Sequence, residues 1–189
     1  MKRSLITLAL TAALLAPALA QVDVAKSSVP QGFPSVIVAI SKQMGVPVEG
    51  KFKRFTAQIS FDPAKPAEGK ASVDIDIASF DLGADDFNRE TVKPEWFNAA
   101  KFPKATFVTS AIKPAGAGKF EATGKLTIKG ITRDVVAPVS FRAEGGQQVF
   151  EGVLPIKRLT FNIGEGEWKD ASTVADDVQI KFRIVNAKK

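Results

Sequence analysis

The chain has 189 residues, with 26 Lys and Arg against 20 Asp and Glu, a net charge of +6, and no Cys, His or Tyr. The absence of Cys and His excludes disulfides, thiol nucleophiles, thiolate or imidazole metal sites and every Ser–His or Cys–His catalytic relay. The small positive excess is dispersed and forms no basic block with aromatic residues, so it indicates no nucleic-acid partner.

The first twenty residues, MKRSLITLALTAALLAPALA, have the pattern of a secretory signal peptide. A positively charged start precedes an apolar run over residues 5–15, and an Ala-Leu-Ala signal predicts cleavage between Ala20 and Gln21. An uncleaved membrane anchor is the alternative, but the run is shorter than the roughly 18 residues that a spanning helix needs. We therefore expect a signal peptide over 1–20, one domain over 21–189 and a periplasmic location.

The segments after the leader alternate apolar and polar residues with the period of 2 that is typical of half-exposed β-strands. In KFKRFTAQISF, Phe52 is one position out of step with the apolar face, which predicts a bulge. Regular strand spacing without a linker predicts one sandwich or closed barrel of seven to nine strands. The predicted apolar faces comprise Val36, Val38 and Ile40; Phe55, Ala57, Ile59 and Phe61; Ala71, Val73, Ile75 and Ile77; and Val178, Ile180, Phe182 and Ile184.

The segment KPEWFNAAKFPKATF, residues 93–107, interrupts this strand pattern with one Trp and three Phe. The only helical signals of the chain lie near 84–98, where Asp85 and Arg89 have i, i+4 spacing and Pro94 can open a second turn. Connections of this length in a small domain are usually functional lids or disordered segments. Because this one is rich in aromatic residues, we expect it to fold back over one end of the domain.

The motifs that could carry catalysis are weak. Ser110 and Lys113 have S-x-x-K spacing, but they lie in a strand pattern where residues i and i+3 point to opposite faces. Asp74 and Asp76 occupy the polar face of a strand, and the two glutamates of GEGEW stand between glycines in a predicted turn. A hydrolase that uses a carboxylate pair stays a distant third hypothesis, and we predict that the protein is not an enzyme.

An apolar interior remains as the feature that could carry function. An eight-stranded barrel either fills its inside with side chains or holds one ligand. Strands of about ten residues would give a slot roughly 30 Å long, which suits an extended lipid chain. The pattern alone leaves two readings open, namely a lipid cavity or a packed core in a secreted stress-response or interaction module.

Four stretches resemble the YceI-like family of exported, polyisoprenoid-binding proteins. They are FKRFTAQISFDP, IASFDLGADDFNRETVKPEWFNAAKFPKATF, GKLTIKGITRDVVAPVSF and TVADDVQIKFRI, in family order over almost all of the chain after the leader. The resemblance implies an all-β fold, a single antiparallel eight-stranded lipocalin-like barrel with a short helical insertion near residues 84–98. It also implies that this insertion flanks the mouth of a cavity.

The ligand that the resemblance implies is an isoprenoid lipid, such as a polyprenyl phosphate or a quinone, with no other cofactor and no metal. We expect transport or storage of that lipid by a monomer or homodimer. The residues expected to contact the ligand are the apolar strand faces and the aromatic residues of the insertion, namely Val38, Ile40, Phe55, Ile59, Val73, Ile75, Phe87, Trp96, Phe97, Phe107, Phe161 and Phe182.

Two features of the chain qualify the resemblance. Relatives often have a His after the first core strand, where this chain has Lys42 or Gln43. A head-group contact made by that His would be lost or replaced here. The segment RLTFNIGEGEWKDASTVADD is similar to the branch whose relatives occur with cytochrome b561-type membrane proteins, which implies a membrane b-type cytochrome system as a partner.

Overall fold

The computed structural model of the chain describes residues 34–187, so the predicted signal peptide and its cleavage site between Ala20 and Gln21 lie outside the described residues. The described part is built from β-strands and one short α-helix. In chain order the elements are β1 (Val36–Gln43), β2 (Val46–Phe52), β3 (Phe55–Ser60), β4 (Lys70–Asp76), β5 (Phe80–Asp81), α1 (Asp85–Thr91), β6 (Lys104–Gly116), β7 (Lys119–Ile128), β8 (Ile131–Glu144), β9 (Gln147–Lys157) and β10 (Asp177–Ala187). Short 3-10 turns lie at Pro66–Glu68, Ile77–Ser79, Arg158–Phe161 and Gly166–Lys169.

All of the strands belong to one curled antiparallel sheet, in the order β3-β4-β6-β7-β8-β9-β10-β1-β2-β5. The prediction of an all-β antiparallel fold is confirmed, but the predicted count of eight strands is wrong because the sheet has ten. One reason is the segment KFKRFTAQISF, which the pattern treats as a single strand. The chain leaves the sheet at Lys53 and Arg54, so Phe52 ends β2 and no bulge is present there.

The tight turns between neighbouring strands use the left-handed backbone region. Lys129 and Gly130 join β7 to β8 with φ values of 49° and 74°, and Gly145 and Gly146 join β8 to β9 with φ values of 58° and 77°. Two consecutive positive φ angles are typical of two-residue hairpin loops, whose twist matches that of the flanking strands.

Each long strand has one face toward the interior, because successive side chains of a strand point to opposite faces. Along β7, for example, Phe120, Ala122 and Leu126 are buried whereas Glu121 and Lys125 are exposed. The core cluster draws such inward residues from β1, β2, β6, β7, β8, β9 and β10, and from the 3-10 turns at 77–79 and 158–161. The interior of the curled sheet is therefore lined mainly by apolar side chains.

The connection between β5 and β6 contains α1 and a series of turns up to residue 101. The helical insertion that the sequence predicts near 84–98 is thus present, as one helix of seven residues. Among residues 34–187, no helix combines the length and the apolar character that crossing a membrane would require.

The outer edge of β3 has no strand partner in the described part of the chain, since β3 stands at one end of the sheet order. Side chains of β9 and β10 reach this edge instead. Gln148 donates its Nε2–H to the Phe61 carbonyl at 2.9 Å, and Asn186 donates its Nδ2–H to the Ile59 carbonyl at 3.1 Å. Asn186 also lies 3.4 Å from the Gln148 Oε1 atom. We call this set of contacts the seam, and it closes the curled sheet.

Replacing Gln148 by Met should weaken the seam. Gln148 is buried, and its loss leaves the Phe61 carbonyl without that donor. We expect the free energy of unfolding to fall by about 1–3 kcal/mol, because a buried polar group left unpaired carries its full desolvation penalty. Urea denaturation measures this change. Gln179→Met, at an exposed position of β10, is the control; an equal loss in both variants would contradict a closing role for Gln148.

Candidate functional site

The curled sheet encloses a cavity of about 680 Å³. This volume lies within the roughly 300–1,000 Å³ that is typical of sites for small organic ligands. The inward faces of the strands form most of its wall. The apolar strand residues of this wall are Ile37, Ala39, Val48, Phe52, Ile59, Ala71, Val73, Ile75, Phe80, Ala105, Phe107, Ile112, Phe120, Ala122, Leu126, Ile128, Ala137, Val139, Phe150, Leu154, Ile156, Val178, Ile180, Phe182 and Ile184.

One end of the cavity is closed by a cluster of phenylalanines, which we call the aromatic end. The Phe61 ring lies 5.0 Å from Phe120, 5.2 Å from Phe141 and 5.5 Å from Phe150, measured between ring centroids. Tilted and edge-to-face contacts at these distances are favourable for aromatic rings. The cluster joins β7, β8 and β9 to the chain that follows β3, so it seals the interior where the seam also lies.

The opposite end carries α1, and we call it the helix end. Most residues of the cavity wall are buried or half-buried, whereas its exposed members are Gln43 at the end of β1 and Asp86 and Phe87 on α1. The cavity therefore reaches the surface between the end of β1 and α1. Phe87 is 61% exposed, which is unusual for such a large apolar side chain and places it on the rim of the opening.

Asp81 fixes the position of α1 at this opening. Its carboxylate accepts a hydrogen bond from the Asn88 amide of α1 at 2.8 Å and lies 2.6 Å from the Lys53 ammonium. It also accepts the Gly83 backbone N–H at 3.0 Å. These donors, the Lys53 ammonium first among them, lower the Asp81 pKa from 3.8 to about 2, because they stabilise its charged form. The ionised carboxylate thus ties α1 to the β2–β3 connection.

Arg158 organises the loops of the helix end from within. It is 2% exposed, and its Nη1 donates to the carbonyls of Ile163 at 2.7 Å and Gly164 at 3.3 Å. Its Nη2 donates to Trp168 and Val174 at 2.6 and 2.7 Å, and its Nε to Ala175 at 3.1 Å. All five N–H donors of the guanidinium are therefore committed to backbone carbonyls. Burial lowers the pKa of this guanidinium, although its charge is retained at any ordinary pH.

Lys129 makes a second buried contact of this kind. Its ammonium is buried and donates to the carbonyls of Pro94 and Asn162 and to the Glu165 carboxylate, each at 2.7 Å. The hydrogen bond from Lys129 lowers the Glu165 pKa below its usual value. Lys129 thus joins the insertion to the segment that follows β9 from its position in the turn between β7 and β8.

Eight of the twelve predicted ligand contacts line the cavity. On the strands they are Ile59, Val73, Ile75, Phe107 and Phe182, and in the insertion they are Phe87, Trp96 and Phe97. Contact of these eight residues with a ligand stays a prediction.

The other four predicted contacts, Val38, Ile40, Phe55 and Phe161, are absent from the cavity wall. The structure reverses the predicted orientation of β1, since Ile37 and Ala39 face the cavity and Val38 and Ile40 point away from it. Phe55 packs against the core at the start of β3. Phe161 is 2% exposed and is a packed core residue of a 3-10 turn.

Several wall residues escaped the sequence analysis. Ile37 and Ala39 were not predicted because the first half of β1 is apolar on both faces. The sequence pattern therefore does not show which face of β1 points inward. Arg158 and Trp168 lie outside the strands, and the polar partners of Arg158 are backbone carbonyls, which leave no trace in a residue pattern. Gln43 stands near a position where relatives often have a His. This difference is the one sequence feature that could have indicated its place in the cavity wall.

The two aspartates of the candidate catalytic pair on β4 are engaged in ion pairs. Asp76 lies 2.8 Å from the Arg54 Nε and Asp74 lies 3.5 Å from the Lys104 Nζ, both at half-buried positions of the sheet. Neither aspartate lines the cavity. Within residues 34–187, no group of acidic side chains is arranged to hold a metal ion.

The sequence profile of the YceI-like domain matches residues 21–186, so the chain belongs to the YceI-like family. The crystal structure of BcnA from Burkholderia cenocepacia is 56% identical in sequence and superposes with a TM-score of 0.80, over 81% of this chain and 96% of that one. A "UPF0312 protein" from Ectopseudomonas mendocina is 32% identical over 141 residues, or 71% of this chain and 72% of the relative. A polyisoprenoid binding domain from Saccharophagus degradans, at 17% identity, has the same fold with a TM-score of 0.63, over 82% and 94% of the two chains.

Replacing Arg158 by Lys should destabilise the helix end. A lysine has three N–H donors instead of five, so at least two of the buried carbonyls lose their partner. We expect the free energy of unfolding to fall by about 2–4 kcal/mol, as measured by urea denaturation. Arg133→Lys, at an exposed position where the guanidinium donates to the Thr132 carbonyl, is the matched control and should stay within about 0.5 kcal/mol. Equal effects of the two substitutions would show that the five carbonyl contacts do not stabilise the fold.

The contribution of Asp81 to stability should depend on pH. Its folded-state pKa of about 2 lies below the ordinary value of 3.8, so its stabilising contacts are fully present above pH 3.8 and are lost as the pH falls toward 2. We expect Asp81→Asn to lower the thermal midpoint at neutral pH and to approach the wild type as the pH falls through this window. Thermal denaturation between pH 2 and 7 measures the difference. Asp134→Asn on β8 is the control, and a wild-type-like midpoint of Asp81→Asn at pH 7 would contradict the anchoring role.

Proposed function

We propose that this member of the YceI-like family binds an isoprenoid lipid and encloses its chain in the cavity of the curled sheet. The observation that carries the proposal is the cavity of about 680 Å³ with an almost wholly apolar strand-built wall. Burial of apolar surface stabilises a complex by about 25 cal/mol per Å² before the costs of association are subtracted. A long hydrocarbon chain can therefore bind here without a charged anchor.

The shape of the site supports a chain-like ligand. The wall runs from the aromatic end, near Phe120 and Phe150, to α1 at the helix end. The ten residues of β7 run along the wall with a strand length of about 33 Å at 3.3 Å per residue, and the tilt of strands in a curled sheet makes the cavity shorter than this. An elongated cavity that opens at one end suits a polyprenyl or quinone-type tail better than a compact solute. The same cavity counts against the alternative of a secreted interaction module with a filled core.

Transport or storage of this lipid in the periplasm completes the proposal. It is supported by the signal-peptide pattern of residues 1–20 and by the fold shared with a domain described as polyisoprenoid binding. No step of this function requires catalysis. The resemblance of RLTFNIGEGEWKDASTVADD to relatives of cytochrome b561-type proteins supports a membrane b-type cytochrome system as the partner that supplies or receives the lipid.

Native mass spectrometry of residues 21–189 purified from the periplasm, followed by organic extraction, tests the proposal. We expect a stoichiometric isoprenoid that is released by the extraction. A mass without ligand that stays unchanged after incubation with prenyl quinones and polyprenyl phosphates would overturn it.

A matched pair of variants should locate the bound chain. Ala39 lies on β1 in the cavity wall, so Ala39→Trp places a large side chain in the space that the lipid would occupy. We expect this variant to lose bound lipid while its thermal midpoint stays within a few degrees of the wild type. Ala143→Trp, at an exposed position of β8 away from the cavity, should retain the lipid. A full load of lipid in the Ala39→Trp variant would place the ligand elsewhere.

A further inference from the structure

The most exposed large apolar side chains within residues 34–187 lie around the opening of the cavity. Met44 is 79% exposed, Val46 is 63% exposed and Phe87 is 61% exposed, whereas the next in this part of the chain, Val136, is 50% exposed. Apolar residues scattered singly over a surface are common, but a group of them at one place marks an interaction site. We call Met44, Val46 and Phe87 the apolar rim.

The β1–β2 hairpin and α1 bring the apolar rim to the opening. Met44 and Gly45 form the two-residue turn of the hairpin, with φ values of 49° and 81°, so Met44 stands at its tip. Val46 pairs with Gln43 across the hairpin, and directly opposite side chains lie on the same face of a sheet. Because Gln43 lines the cavity, Val46 lies on the inner face just beyond the wall. Phe87 lines the cavity from α1, on the other side of the opening.

The cavity wall does not account for the hairpin part of the apolar rim. Neither Met44 nor Val46 lines the cavity. A bound prenyl chain would enter and leave between the hairpin and α1, because phenylalanines close the opposite end. Each methylene group that crosses water on this route loses the free energy gained by its burial. A rim that sinks into a lipid bilayer would join the cavity to the membrane interior without this aqueous step.

The small area of the apolar rim favours a lipid surface over a protein partner. Three side chains of up to about 200 Å² each, at these exposures, offer at most roughly 400 Å². A stable protein–protein interface buries about 800 Å² on each partner. Contact with a membrane scales with the apolar area inserted and needs no complementary surface, so a few protruding side chains are enough for reversible binding.

The charges beside the apolar rim indicate that apolar contact drives this binding. On α1, Asp86 is paired with Arg89, and Glu90 is paired with Lys93. The cations on this side of the opening are thus committed to carboxylates and form no basic cluster that would select anionic lipids. Binding should therefore occur on zwitterionic lipids and should depend little on salt.

These observations identify a docking surface. We propose that the apolar rim docks the protein on the surface of a lipid bilayer, with Met44, Val46 and Phe87 inserted among the lipids and the opening of the cavity turned toward the membrane. This inference rests on the proposed function, since it concerns the route by which an isoprenoid lipid reaches the cavity.

Co-flotation of residues 21–189 with protein-free phosphatidylcholine vesicles tests the docking. We expect the wild type to float with the vesicles in low and in high salt. The double variant Met44→Gln/Val46→Thr keeps the size of both side chains but makes them polar, so its vesicle binding should fall by at least about tenfold. Val136→Thr/Val153→Thr is the control, since both valines are exposed on strands and neither lines the cavity; it should bind vesicles like the wild type.

Uptake of a prenylated benzoquinone from two sources separates the docking from the cavity. When the quinone is delivered from cyclodextrin, the Met44→Gln/Val46→Thr variant should bind it as tightly as the wild type, because both residues lie outside the cavity wall. When the quinone is delivered from vesicles, uptake by the same variant should slow by about the factor that its vesicle binding loses.

The outcomes are distinguishable. A wild type that takes up quinone from cyclodextrin but does not float with vesicles overturns the docking and leaves the lipid-binding proposal standing. Equal losses in the two double variants, or loss of vesicle binding in high salt, also overturn docking by the apolar rim. Binding to native membrane vesicles but not to protein-free ones would assign the rim to a membrane protein instead. Failure to take up quinone from cyclodextrin overturns the proposed function, whereas the docking is judged by vesicle binding alone.

Discussion

Two buried cations hold the helix end of the cavity together through backbone carbonyls. Irregular segments leave carbonyl groups without strand or helix partners, and such groups need a donor when they are buried. Arg158 supplies five donors to residues 163–175, and Lys129 supplies donors to Pro94 and Asn162. The insertion and the segment after β9 are thereby fixed against each other. Without these contacts the strands would still form the curled sheet, but the loops that line the helix end of the cavity would have no fixed position.

The two ends of the cavity differ because different kinds of interaction build them. The aromatic end is closed by phenylalanine rings, which pack without any need for hydrogen-bond partners. The helix end consists of carbonyls, cations and an indole, all of which have directional requirements. The chemistry of the wall therefore changes from one end of the cavity to the other, which gives the cavity a direction along its length.

The sequence predicts much of this structure where one physical signal dominates. Alternation identifies the inward faces of β3 and β4, so Ile59, Val73 and Ile75 were placed on the wall that they occupy. Alternation does not identify the inward face of β1, because every residue from Val36 to Ile40 is apolar. The break at Lys53 and Arg54 has no glycine or proline to mark it, which explains one of the two strands missing from the predicted count. Arg158 could not be predicted as the organiser of a loop cluster, because its carbonyl partners can belong to any residue type.

The seam closes the curled sheet by side-chain contacts alone. The free edge of β3 meets β9 and β10 through the side-chain amides of Gln148 and Asn186, whereas neighbouring strands of the sheet are joined by backbone ladders. Flexible side chains can lengthen or exchange such contacts while every ladder stays intact. The width of the enclosed space can therefore change along this one line without breaking a backbone ladder, and the cost is the loss of the Gln148 and Asn186 contacts. In a barrel closed all round by ladders, any change of width would break backbone hydrogen bonds.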